Sequence, residues 1–321
     1  MSLVVDMKKK LEDAEPLVKV EKWPKHCIFR VPSRLKMVDD SIYKPQTVSL
    51  GPFHHGDEEL RPMEEHKLRA IRHLLCRDSC KTTLDDIIAT VEEVTEELED
   101  AYMDLGDEWR GEENRGKFLE VMITDGCFLL EVTRTALGGM YIPKDYAVGD
   151  TVFSSHGIQQ FKPFIQRDML LVENQLPLRL LEKIVAAESG TSPNAALINS
   201  MVLKFLEGKD VPEGTALGLH PLEVYRMSTL KTKSRGVEMK EVVFPVARPQ
   251  RIVHPSACKL WEAGMWFKPS NTSCLNDISV DNNRMLHMPR VQLEDSTACR
   301  IHNMMALGTG NDVKAYVWFI K

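Results

Sequence analysis

The chain has 321 residues and a composition ordinary for a globular protein, enough for one large or two small units with an adequate buried core. A net charge of −6 excludes any general attraction to nucleic acid. No window approaches the roughly 18 consecutive apolar residues of a membrane span. Sixteen methionines beside a modest aromatic share point to helix–helix packing more than to a β-sandwich.

In chain order, residues 1–24 are charged and lack a strong apolar period, which predicts a tail. "CIFRVPSRL" reads as a short extended run broken at Pro32, with a helical turn near Leu35–Met37. "QTVSLGPF" alternates apolar and polar residues and predicts a short strand or extended run, ended by Gly51-Pro52. Pro62 suits the first turn of a helix whose apolar side would be Met63, His66, Leu68, Ile71, Leu74 and Leu75.

Ile87, Val91, Val94, Leu98, Ala101 and Leu105 follow at gaps of three and four, predicting one amphipathic helix. Its outer face is acidic: between Glu92 and Glu113 there are eleven acidic residues against the single basic Arg110. This is either a solvated face or a partner-docking surface carried by Glu92, Glu93, Glu96, Glu97 and Glu99.

"KFLEVMITDGCFLLEVT" is apolar nearly all round and belongs in the centre of the core. Residues 138–160 read as a long loop. "RDMLLVENQLPLRLLEKIV" predicts two helical pieces around Pro177, with Asp168 as cap of the first. Further helices are expected at Ala195–Leu206 and Pro221–Leu230. A basic, proline-bearing linker follows over residues 231–255.

In the last part, "SACKLWEAGMWFK" reads as a helix running into a strand. "CLNDISV" and "RMLHMPRVQL" suit an antiparallel meander, and a final helix starts at Ser296. The fold class is therefore α+β, predominantly helical, with a small antiparallel β portion in the C-terminal quarter. One domain is expected over residues 25–321, helical over 25–230 and mixed over 256–321.

The seven cysteines are irregularly spaced, form no CxxC, and follow an N-terminus without the apolar core of a signal peptide. Reduced thiols in the cytoplasm are the expectation. The chain stops within the apolar run "AYVWFIK", which suggests a truncated or variant product.

Six ordered stretches carry a resemblance: "CIFRVPSRL", "YKPQTVSLGPFHHG", "MEEHKLRAIRHLL", "FLEVMITDGCFLLEV", "DMLLVENQLPLRLLE" and "PSACKLWEAGMWFK". From about His26 to Lys321 the chain resembles the plant Domain of Unknown Function 247 family. The resemblance implies a plant protein whose full-length relatives continue to one C-terminal transmembrane anchor, a part missing here. "RIHNMMALGTGND" departs from the more acidic segment usual at that place. Some grass members are linked to male specificity in pollen–stigma self-incompatibility, and most members have no assigned activity.

Three clusters could carry chemistry. His54, His55 and Asp57 lie between two glycines, but adjacent residues of an extended segment face opposite ways and do not easily share a metal. They make better sense as a turn, with Gly51 and Gly56 supplying unusual backbone angles. His66, His73, Cys76 and Cys80 fall along one helical stripe too long to converge on a single ion.

Asp125, Glu173, Asn174 and Gln175 are polar residues set in the two most apolar segments. They are either tuned acids and bases or a structural polar network. Signatures of catalytic serine, phosphate-binding and dinucleotide-binding motifs are lacking. The first functional reading is a non-enzymatic recognition or signalling protein with an unidentified protein partner, needing no metal or cofactor. The second is a hydrolase-like enzyme built on His54/Asp57 or Asp125/Glu173.

Overall fold

A computed structural model describes residues 26–37, 39–77, 82–135, 146–147, 149–191, 193–212, 214–230, 257–270, 274–275, 277–290 and 294–307. The predicted tail, the 231–255 linker and the C-terminal apolar run lie outside the described residues. The first helices are α1 (Ser33–Lys36), α2 (Arg61–Leu75), α3 (Leu84–Glu92), α4 (Thr95–Asp100) and α5 (Glu112–Arg134). Next come α6 (Ser155–Asp168), α7 (Leu178–Ser189), α8 (Ala195–Glu207) and α9 (Pro221–Leu230). The C-terminal part holds α10 (Ala257–Glu262), β1 (Trp266–Pro269), β2 (Ser279–Val280), β3 (Met285–Met288) and α11 (Thr297–Leu307). The fold is α+β and dominated by helices.

The all-round apolar sequence of α5 puts it at the centre, with every residue from Asp125 to Arg134 buried. Helices α2, α3, α7 and α8 surround it. The fit against α7 is close. A Cβ at Gly126 would come within 2.7 Å of the Ile184 Cδ1, so this glycine lets the two helices approach.

Helix α2 departs from its predicted face. The buried stripe is Met63, Lys67, Ala70 and Leu74, whereas Leu68 is exposed. Lys67 takes the inward position because an acidic partner waits on α5. The predicted Ile87–Leu105 helix is also corrected, since it divides at Glu93–Val94 into α3 and α4. All six apolar positions are nevertheless buried, because the turn keeps both pieces in phase on the core. A Thr83–Asp86 capping box starts α3.

Asp168 is the last residue of α6 and not the cap of a following helix, and residues 169–177 are not helical, with turns at 169–170 and 172–173. Within the predicted long loop, α6 already begins at Ser155. Of the strand or extended run expected in "QTVSLGPF", the strand does not form, because side chains and not a neighbouring strand take the backbone N–H groups.

The small sheet is mixed and not purely antiparallel, with strand order β1-β3-β2. β2 and β3 form an antiparallel hairpin, and β1 pairs with β3 in parallel through Trp266↔Met285 to Pro269↔Met288. A second apolar cluster, including Tyr43, Val172, Leu222, Tyr225 and Met304, joins this part to the helices. Asn303 of α11 stitches it, accepting from the Val172 N–H at 2.9 Å and donating to the Ile42 carbonyl at 3.0 Å. Among the described residues no helix is long and apolar enough to cross a membrane.

Candidate functional site

The segments 46–57 and 168–177 bring most of the predicted polar residues together. Asp168 Oδ2 accepts from the Thr47, Val48 and Gln46 N–H groups at 2.7, 3.0 and 3.1 Å. Asn174 accepts from the Leu50 N–H at 2.7 Å and donates to the carbonyls of Val48 and Asp168. Asp125 accepts from the Gly51 N–H at 2.8 Å. One stretch of backbone is therefore fastened by three side chains from two other parts of the chain.

Burial pushes the carboxyls of Asp168 and Asp125 above their usual range. The backbone donors and Arg167 oppose that rise at Asp168, and Lys67 opposes it at Asp125.

Gln175 ties the same turn to itself and to the start of α9. Its amide donates to the carbonyls of Met169 and Leu171, both at 2.7 Å, and its Oε1 accepts from the Leu222 N–H. His220 Nδ1 lies 3.0 Å from that oxygen, and burial drives the imidazole pKa down to about 3. The Gln175 carbonyl accepts from the Tyr102 hydroxyl.

Glu173 is buried between the Val31 N–H at 2.5 Å and the Lys36 ammonium at 2.8 Å. His54 Nδ1 is 3.0 Å from Asp57, and its Nε2 is 3.7 Å from Glu173, beyond hydrogen-bond range. His54 is buried, while His55 is exposed and sets its ring edge-on to Trp109. The two histidines thus point apart, and His55 is not part of the cluster.

Chemically, this cluster pairs charges and satisfies backbone. Acyl transfer needs a nucleophile within hydrogen-bond reach of the base, and the groups that His54 meets are two carboxylates. Clefts on the described surface, one of them about 460 Å³, are lined by other residues than these.

Of the remaining candidates, His73 lies 2.9 Å from Glu131 and stacks on Tyr146, His66 sits beside Arg69, and Cys76 is exposed. Cys80 lies outside the described residues. Among the described residues no three His, Cys, Asp or Glu side chains converge as metal ligands would.

Two features escaped the sequence reading. Lys67 is fully buried, and its ammonium meets Asp125 at 2.6 Å, Glu64 at 2.7 Å and the Ser49 hydroxyl at 2.9 Å. Its signal was a lone cation within a spacing of four, three and four. The other is Glu131 on α5, which gathers His73, Arg77 and Arg134. Burial pushes its carboxyl upward, but those three neighbours together hold it below the usual range. An acid set between Leu130 and Val132 in the most apolar part of the helix was the available clue.

On the acidic stripe, Glu92, Glu93, Glu96 and Glu97 are exposed, whereas Glu99 is half-buried. Glu93 pairs with Lys183 at 2.6 Å and Glu97 with Arg179 at 3.4 Å, so part of the stripe clasps α7.

The DUF247 family, described as plant protein of unknown function, matches residues 28–321. The UPF0481 protein At3g47200 of Arabidopsis thaliana is 29% identical over 209 residues, covering 63% of this chain and 40% of that protein. The putative UPF0481 protein At3g02645 of the same plant is 26% identical over 183 residues, covering 56% and 30%. The chain thus spans less than half the length of these two relatives. No solved structure matches.

Proposed function

The chain belongs to the DUF247 family of plant proteins of unknown function, and within it we propose a non-enzymatic recognition or signalling protein that works by binding a protein partner. We place it in the cytoplasm, in a cell-recognition process of which pollen–stigma self-incompatibility is one instance. The observation that supports this reading is the commitment of Asp125, Asp168 and Glu173. Each is buried, and each accepts from backbone N–H groups of a distant segment. A general acid or base needs a face turned to substrate, and these carboxylates are occupied in holding the chain together. The exposed Glu92 and Glu96, beside Glu93 and Glu97 that also pair with Lys183 and Arg179, offer the charged surface that a partner would meet.

The test uses the full chain as bait in extract of the expressing tissue, followed by reassembly of the complex from purified components. A saturable complex of fixed stoichiometry is expected, weakened at low salt when those four glutamates are reversed to lysine. Hydrolytic turnover that disappears in His54→Ala, with no partner recovered, overturns the reading.

A further inference from the structure

The cleft of about 460 Å³ lies where α4, the start of α7 and the segment 217–219 meet. Its volume falls within the roughly 300–1,000 Å³ of built binding sites. The lining is largely apolar. Leu98 and Ala101 form its buried floor, and the half-buried Leu217 and Leu219 leave apolar surface facing the opening.

The rim is charged, and unevenly so. Glu96 and Glu97 stand exposed, while the cation Arg179 is already engaged by Glu182 and Glu97. The carboxylates continue past the cleft to Glu93, which pairs with Lys183, and Glu92, both exposed across the turn that joins α3 to α4. A small ligand would fill only the apolar part. A polypeptide can seat one apolar side chain in the cleft and carry its charges along the row beyond it.

We propose that this cleft docks a segment of a partner protein in which an apolar anchor is flanked by lysine or arginine. The proposal rests on the recognition reading above and deepens it by naming the chemistry of the partner. The apolar anchor supplies affinity, and the acidic row speeds encounter and rejects acidic segments.

The probe is a fluorescein-labelled peptide, KKALAALAKK, titrated with the full chain at low salt and read by anisotropy. Saturable one-to-one binding is expected. It should weaken about tenfold when the peptide leucines become alanine, and about fivefold in Glu96→Lys, since an exposed attraction becomes a repulsion. Leu219→Ala should weaken it as well, with thermal melting used to confirm that each variant is folded. Glu108→Lys, an exposed glutamate outside the cleft, carries the same charge change and should leave binding intact.

Equal weakening by Glu108→Lys, or indifference to both cleft variants, overturns the proposal. So does self-association of the chain that excludes the peptide. Tissue-partner capture that persists in Glu96→Lys and Leu219→Ala would sink the cleft and leave the recognition reading standing. Peptide binding at the cleft without any tissue partner would do the reverse.

Discussion

The Lys67 ammonium lies 2.6 Å from the Asp125 carboxylate, and both side chains are sealed from water. With Glu64 and the Ser49 hydroxyl as further acceptors, the three N–H donors of Lys67 are all used. The pair joins α2 to α5 and, through Gly51, fixes the segment before Pro52 as well. Such a pair is weak evidence for net stability, but removing one member strands the other in a dry interior.

Lys67→Met is therefore expected to lower stability by about 3–5 kcal/mol in urea denaturation. Adding Asp125→Asn should restore a substantial part, because the amide oxygen still accepts from Gly51 and no buried charge remains. Equal loss in the single and double variants would show that packing, and not the stranded carboxylate, is responsible.

Gly51 and Gly56 both have positive φ, +80° and +88°, but their surroundings differ. A Cβ at Gly51 would sit 2.6 Å from the Tyr102 hydroxyl oxygen and 2.9 Å from the Gln175 carbonyl oxygen, and at Gly56 it would meet nothing within 4 Å. Gly56→Ala should show only the backbone penalty of about 1–2 kcal/mol. Gly51→Ala adds a collision with a hydrogen-bonded pair, and its loss should exceed that of Gly56→Ala clearly in the same urea titration. Comparable losses would contradict this account.

His220 gives the fold an acid sensitivity with a definite sign. Burial lowers its pKa from 6.5 to about 3, so the folded state keeps the ring neutral where the unfolded chain takes up a proton. Its contribution is fully present above the unfolded value and is lost as pH falls from about 6.5 towards 3, with a limiting slope of about 1.4 kcal/mol per pH unit. Between about pH 7 and pH 5 the wild type should lose about 2 kcal/mol more than His220→Gln. Urea midpoints at both pH values measure this, and parallel behaviour of the two proteins would refute it.

How far the sequence carried depended on the range of the interaction. The apolar surface of α5 and the spacing from Ile87 to Leu105 are local properties, and both located buried residues correctly. The break at Glu93–Val94 was hidden because it preserves that spacing. Asp125, Glu173, Asn174 and Gln175 stood out as polar residues in apolar stretches, but their partners lie far away in sequence and no local pattern announces them. The alternation in "QTVSLGPF" fits a short strand or an extended run alike, and it does not tell that the acceptors of its N–H groups are side chains. Likewise the parallel pairing of β1 with β3 is a long-range choice that strand composition leaves open.

The fastening of residues 46–50 also bears on the order in which a growing chain can acquire its shape. Asp168 and Asn174 lie 120–124 residues beyond the N–H groups they hold. At roughly 5–20 residues per second, a ribosome takes on the order of 10 s to supply them. Through that interval the strip has no acceptors of its own, so its geometry is imposed backwards, from later chain onto earlier. Contacts of such high sequence separation also raise the contact order, which slows folding relative to a bundle of neighbouring helices. A fold dominated by helices thereby carries, in a turn of polar side chains, long-range contacts of the kind usual in β proteins.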